Sequence, residues 1–180
     1  MTAIAKKLIW LSEAVDQVLR LVALVFLVVM VLTITLQVVA RYGFSAPPAW
    51  TEEAARYAMV WVGLLGASIS FKAGFDPRLV TLPMTLPRPV LGVAAIIRGM
   101  AVVLFLGPIL FYCFFGPGMN PVRSFLSRSL HTSAESFDMP LIFVTVTVPI
   151  FISAIFLHGI AQCAQGLARV QDTASDGAHN

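Results

Sequence analysis

Long apolar blocks alternate with short polar segments along the chain, and four of the blocks are long enough to cross a membrane as helices. A helix needs about 20 predominantly apolar residues to span the hydrocarbon core of a bilayer. Proline, glycine and basic residues recur between the blocks and mark the ends of the helices. The predicted transmembrane helices cover residues 21–42, 52–71, 90–115 and 137–163.

These helices form a predicted transmembrane domain over residues 21–166, with a polar segment at each end. Residues 1–20 mix charged side chains with Trp10 and other apolar residues, which predicts a short juxtamembrane helix at the cytoplasmic interface. Residues 167–180 end in the polar run QDTASDGAHN, which predicts a disordered cytoplasmic tail.

The composition agrees with an all-α integral membrane protein. Hydrophobic residues make up 58% of the chain and charged residues 12%, whereas soluble domains carry about one quarter charged residues. The mean hydropathy is +0.88. A soluble fold of this length has too little interior to bury that much apolar surface, so membrane lipids are expected to cover it.

The distribution of lysine and arginine predicts the orientation of the chain. The chain ends and the second loop hold most of them: Lys6, Lys7, Arg20, Lys72, Arg78, Arg88 and Arg169. The first and third loops, with the adjoining helix ends, hold Arg41, Arg56, Arg123 and Arg128. By the positive-inside rule, both termini and the second loop face the cytoplasm. The net charge of +3 is scattered near helix ends without a long basic run, so it does not indicate a nucleic-acid partner.

The second span carries the most specific pattern, in the segment WTEEAARYAMVWVGLLGASIS. Helical spacing sorts this segment into two faces of different chemistry. The first face holds Trp50, Glu53, Tyr57 and Trp61. The second face holds Glu52, Arg56, Met59, Gly63, Gly66 and Ser70. The pairs Gly63/Ala67 and Gly66/Ser70 have the small-xxx-small spacing that lets another helix approach closely.

The first span adds a polar stripe in which Thr33, Gln37 and Arg41 recur every four residues. Polar groups at membrane depth generally face protein, and an arginine there needs a carboxylate. We therefore expect one polar network at the outer ends of the first two spans, with Glu53 directed toward Arg41 or a partner subunit. Its predicted members are Gln37, Arg41, Glu52, Glu53 and Arg56. In the other interpretation, the aromatic residues form an interfacial belt and the carboxylates only an exposed first turn.

Isolated polar residues elsewhere are weaker candidates. Arg98 lies about two turns into the third span, where an ionisable residue is a functional candidate, although its long side chain can also reach the cytoplasmic interface. His158 has no second ligand nearby, which predicts a polar contact rather than a metal site. Cys113 and Cys163 form no CxxC pair, and HExxH, GxSxG and P-loop motifs are absent, so neither a disulfide nor a catalytic site is predicted.

The run LQVVARYGF, followed by WTEEAARYAMVWVGLLGAS, resembles the DctQ-type small membrane subunit of tripartite ATP-independent periplasmic (TRAP) transporters. The spacing from Trp50 through Glu53, Arg56 and Trp61 to Gly66 and Ala67 carries the resemblance. It is sharp over residues 37–70 and weaker over the fourth span. The chain departs from the family pattern at KAGFDPRLV in the second loop.

The resemblance implies a four-helix subunit of the bacterial inner membrane that binds a larger, elevator-type permease subunit. It also implies a periplasmic solute-binding protein and ion-driven uptake, usually of organic acids. The substrate and ion sites belong to the large subunit in that family, so this chain is expected to hold no cofactor, and any sodium to bind the large subunit. Its expected role is to enlarge the stationary scaffold.

Two other classes of function stay open. A homo-oligomeric cation channel would use Glu52 or Glu53 as an acidic ring at its mouth. A small membrane enzyme or assembly factor would show a buried polar cluster around Arg98. The channel needs identical copies around an axis, whereas the transporter subunit needs one unlike partner.

Overall fold

The computed structural model describes residues 3–46, 48–74, 88–136 and 139–176, and its long elements are all helices. In this part of the chain, three helical segments are long and apolar enough to cross a membrane. They are Lys6–Phe44, Ala49–Ala73 and Ile142–Cys163. The all-α class of the prediction is confirmed.

The first helix, α1, runs from Ala3 to Phe44 without a break. Its 42 residues correspond to a length of about 63 Å. The predicted juxtamembrane helix is therefore the first part of the spanning helix and not a separate element. Ser12, Asp16 and Leu19 are buried in this part because it packs against the other helices.

The second helix, α2, covers Ala49–Ala73 and contains the predicted span 52–71. It starts directly after Pro48, and the hydroxyl of Thr51 donates a hydrogen bond of 2.7 Å to the Pro48 carbonyl. It ends at Gly74, which has a left-handed conformation (φ 72°) and donates its N–H to carbonyls of the last turn. Glycine adopts this conformation without steric cost.

The third helix, α3, covers Arg88–Phe114 with Pro108 inside it, close to the predicted span 90–115. Within it, the described apolar part is the shorter segment Gly99–Phe114. A compact loop follows, with a 3-10 turn over Pro121–Arg123 and the short helix α4 over Phe125–Leu130. Gly116 is required in this loop because a Cβ there would come within 2.3 Å of the Arg123 carbonyl oxygen.

Within the last predicted span, 137–163, the structure describes a short helix α5 (Ile142–Thr145) and the beginning of a long helix α6 (Thr147–Asp176). The interruption falls at Val146, three residues before Pro149, whose nitrogen cannot donate to the Thr145 carbonyl. The structure is helical through Asp176, whereas the sequence predicts a disordered tail from residue 167. Most of the second loop, residues 75–87, and the last four residues lie outside the described part of the chain.

Helices α1, α2 and α6 pack against one another and form the central bundle. Its core contains Leu19, Leu65 and Ala154, one from each helix. Helix α3 lies against α6 and α4, and its Leu104 and Phe105 are 78% and 71% exposed. Apolar surface of this kind is covered by lipid or by another protein in a membrane.

Candidate functional site

Helix α2 carries most of the predicted site residues, and its two faces have different surroundings. The inner face contacts the rest of the chain through buried side chains, which are Thr51, Glu53, Ala58, Leu65 and Ser68. The opposite side, which we call the α2 outer face, is exposed and consists of Glu52, Arg56, Met59, Gly63 and Ala67. Glu53 of the predicted first face is buried, whereas Glu52, Arg56, Met59 and Gly63 of the predicted second face are exposed.

Glu53 is the central residue of the inner face. Its carboxylate is 5% exposed and accepts hydrogen bonds from two backbone N–H groups in the loop before α5. The N–H of Glu135 donates to Oε1 at 2.9 Å, and the N–H of Ser136 donates to Oε2 at 2.7 Å. The hydroxyl of Tyr57, one helical turn away, also donates to Oε1. A buried carboxylate is stable only when donors of this kind replace its water.

The same loop is held by its own backbone bonds close to Glu53. The N–H of Ala134 donates to the Met139 carbonyl at 2.9 Å, and the N–H of Leu141 donates to the Thr132 carbonyl at 2.8 Å. Glu53 therefore joins α2 to the start of α5 through a loop that is itself hydrogen-bonded. This contact fixes the N-terminal end of α2 relative to the α5–α6 segment.

Trp61 continues the inner face two turns below Glu53. Its indole lies on the ring of Phe26 in α1, with ring centroids 4.6 Å apart and an interplanar angle of 7°. Its ring N–H donates to the Phe143 carbonyl of α5 at 3.0 Å. One side chain of α2 thus contacts both neighbouring segments.

Among the described residues, no ion pair joins Arg41 to Glu52 or Glu53. Arg41 is exposed at the end of α1, and the donors on Glu53 come from Tyr57 and the loop backbone. Gln37 is half-buried. Glu52 and Arg56 are exposed, and no ion pair joins them within the described residues.

The remaining predicted residues lie at three places. Trp50 is 43% exposed at the start of α2, as an interfacial tryptophan would be. Gly66 and Ser70 are half-buried at the edge of the outer face. The side chain of Arg98 in α3 lies outside the described side chains.

The acidic ring of the channel alternative loses one of its two candidates. Glu53 turns its carboxylate into the chain and uses both oxygens there, so it cannot line a pore mouth. Among the described residues, no group of three His, Cys, Asp or Glu side chains is placed to hold a metal ion.

A second polar cluster, at the opposite end of the bundle, was not predicted. Ser12 Oγ of α1 lies 2.8 Å from Nδ1 of the fully buried His158 in α6. Lys72 of α2 donates to the Ser12 carbonyl at 3.1 Å and lies 3.4 Å from Oδ2 of Asp16. Arg20 donates to the same Asp16 oxygen at 2.9 Å. His158 is thus a polar contact, as predicted, and the cluster joins all three helices of the bundle.

The sequence does contain a signal for this cluster. Ser12, Asp16 and Arg20 recur every four residues, which places them on one face of α1. This polar stripe lies in the part of α1 before the apolar block. A stripe of this kind indicates contact with protein when it faces the basic end of another helix. The sequence pattern of residues 1–20 predicts instead a short juxtamembrane helix at the interface.

Comparison with known proteins agrees with the sequence motif at the start of α2. The family model of the DctQ component of tripartite ATP-independent periplasmic transporters matches residues 30–169. This chain belongs to the DctQ family. A Haemophilus influenzae relative, provisionally named a TRAP transporter small permease protein, is 31% identical over 77 residues. That alignment spans 43% of this chain and 48% of the relative. No solved structure matches the chain.

The matched range places this DctQ chain among components of a transporter and includes both faces of α2. Glu53, the Glu135–Ser136 loop, Trp61 and the α2 outer face all lie inside it. Ser12, Asp16 and Arg20 lie before it. The family model therefore covers the Glu53 contacts at one end of the bundle but not Ser12, Asp16 and Arg20 at the other.

Replacing Glu53 with Gln should destabilise this DctQ chain more than the same change at Glu52. A glutamine keeps one acceptor but turns an amide NH₂ group toward a backbone N–H, so one of the two loop donors loses its partner. We expect the unfolding midpoint in detergent to fall by roughly 5 °C in Glu53→Gln. The exposed Glu52→Gln removes the same charge one residue away and serves as the matched control. Equal midpoints for the two variants would contradict the role assigned to Glu53.

Proposed function

We propose that this chain is the small transmembrane subunit of a TRAP-type secondary transporter and that it scaffolds a large, elevator-type permease subunit. Membership of the DctQ family supports the transporter role. The observation that carries the scaffold role is the α2 outer face, which is open in the chain although it has the composition of a helix-packing surface. An elevator transporter needs a stationary part against which its moving domain slides, and an added helical bundle enlarges that part.

The α2 outer face has room for a close helical neighbour. A Cβ added at Gly63 or at the adjoining Gly66 would meet no other atom within 4 Å. Small residues at helical spacing let two backbones approach closely in a membrane. Glu52 and Arg56, at the outer end of the same face, remain free to make polar contacts with the partner helix. We infer that this face receives a helix of the large permease subunit.

The transported solute would be an organic acid, delivered by a periplasmic solute-binding protein and driven by an ion gradient. This chain would bind neither the solute nor the ion. Any coupling sodium would bind the large subunit. The complex would lie in the bacterial inner membrane.

The proposed topology has four transmembrane helices with both termini in the cytoplasm. The basic residues near Lys6, Lys7, Lys72 and Arg88 support this orientation. Helix α3 would be the additional span, because its 27 residues correspond to about 40 Å.

Reporter fusions test this topology directly. Fusions at Pro48 and at Asn120 should report the periplasm, and a fusion at Pro83 should report the cytoplasm. Alkaline phosphatase and green fluorescent protein would be used at each site, since the first is active outside and the second inside. The reverse pattern at any of the three sites would overturn the proposed orientation.

Transport in vesicles tests the auxiliary role. The chain reconstituted alone should accumulate no labelled organic acid under an inward sodium gradient, because its described helices lack the paired broken segments that form transporter sites. Adding the large permease subunit and the solute-binding protein should restore uptake. Uptake by the chain alone would refute the proposal, as would full uptake by the other two components without this chain.

Replacing Gly63 with Leu should prevent assembly while leaving the chain itself folded. The open space beside Gly63 accommodates the side chain within the subunit, but a leucine would keep a partner helix away. The control is Gly99→Leu in α3, where a Cβ also meets no atom within 4 Å. Co-purification with the large subunit should fall at least about tenfold for Gly63→Leu only. Normal assembly of Gly63→Leu would show that this face meets lipid.

A further inference from the structure

A pair of cations shares one carboxylate at the end of the bundle opposite Glu53. Arg20 Nε lies 2.9 Å and Lys72 Nζ 3.4 Å from the same atom, Oδ2 of Asp16. Asp16 balances only one of these two positive charges. The three groups together therefore carry a net charge of +1, in a region where α1 and α2 pack against each other.

The two cations are close enough to be bridged by a second anion. Since both contact one oxygen atom, their nitrogens are at most about 6 Å apart, a distance at which like charges repel appreciably near a low-dielectric surface. A phosphate group fits this arrangement. It accepts from the fork of an arginine and pairs with a lysine ammonium as a point charge.

The depth of the pair in the membrane identifies the available anion. Lys72 lies in the last turn of α2, whose 25 residues measure about 37 Å along the axis. The hydrocarbon core of a bilayer is about 30 Å thick, so the ends of α2 reach the level of the headgroups. Arg20 is held at the same level because it shares Asp16 with Lys72.

The exposure of the two side chains leaves room for a ligand. The Arg20 side chain is 54% exposed, and its Nε is the atom that bonds to Asp16, which leaves its two terminal amino groups available. The Lys72 side chain is 21% exposed. Toward the membrane centre, one and two turns beyond Arg20 on the same face, Leu24 and Val28 are 56% and 50% exposed. They form an apolar track below the charged pair.

We propose that Arg20 and Lys72 bind the phosphate headgroup of an anionic phospholipid, with an acyl chain along Leu24 and Val28. Basic groups between transmembrane helices bind anionic headgroups in this way. Asp16 holds the two cations in position without neutralising both. The bound lipid then links α1 to α2 at the end of the bundle opposite Glu53.

Native mass spectrometry of the full-length chain in detergent tests this site with phosphatidylglycerol and phosphatidylcholine. The wild-type chain should retain phosphatidylglycerol about fivefold more than phosphatidylcholine, since one basic residue near the membrane surface contributes about 1 kcal/mol. Arg20→Gln and Lys72→Gln should each abolish this preference. Lys7→Gln removes the same charge from an exposed position on the same helix and should leave the preference unchanged. Arg20→Lys should retain part of it.

Circular dichroism of each variant establishes that the helices are intact before binding is compared. If Arg20→Gln does not fold, Lys72→Gln and the partial effect of Arg20→Lys carry the test. Equal retention of the two lipids by the wild type would overturn the proposal, and so would an unchanged preference in folded Arg20→Gln. If the wild-type chain retained inorganic phosphate as strongly as phosphatidylglycerol, the site would be assigned to a free anion instead. If the wild-type chain showed no lipid preference and Arg20→Gln no longer bound the large subunit, the surface would be assigned to a protein partner.

Discussion

The carboxylate of Glu53 is the contact on which the arrangement of α2 depends. A charged group at the edge of a membrane must be surrounded by donors, and here two backbone N–H groups of the Glu135–Ser136 loop and the Tyr57 hydroxyl supply them. Because side chains four residues apart share a helix face, this contact also turns Trp61 toward Phe26. The outer face of α2, with Gly63 and Ala67, is directed away from the chain by the same rotation.

The two ends of the bundle are joined by polar contacts, and the middle by small and apolar ones. Lipid tails are as apolar as leucine, so burial of apolar surface does little to hold helices together inside a bilayer. Packing of Leu19, Leu65 and Ala154 gives close contact among α1, α2 and α6. The Glu53 contacts at one end, and Ser12, Asp16, Lys72 and His158 at the other, add direction and register. A bundle held in this way would suit the proposed role as a stationary scaffold.

Much of the fold can be predicted from the sequence because a bilayer demands long apolar helices. The segment Ala49–Ala73 and its two faces follow from helical spacing and the preceding prolines. The continuity of α1 does not follow from the sequence in this way, because Ser12 and Asp16 resemble solvated residues until their partners on α2 and α6 are known. The first part of α1 belongs to the bundle for that reason.

The partner of Glu53 illustrates the same limit at the candidate site. Arg41 is an obvious counter-ion in the sequence, but backbone N–H groups are present at every non-proline residue and leave no signature in it. The loop that supplies them is 82 residues away along the chain from Glu53. The charge pattern therefore predicts that Glu53 needs hydrogen-bond donors but does not identify them.

Hydrogen exchange of the loop before α5 tests the role of Glu53 most directly. In the wild-type chain in detergent, the amides of Glu135 and Ser136 should exchange at least about tenfold more slowly than the same amides in an unstructured peptide, because both donate to a buried carboxylate. The exposed amide of Gly118, for which the structure gives no such acceptor among the described residues, should show no comparable protection. Exchange of Glu135 and Ser136 at the unstructured rate would contradict the account, since α2 would then lack the contact that orients its outer face.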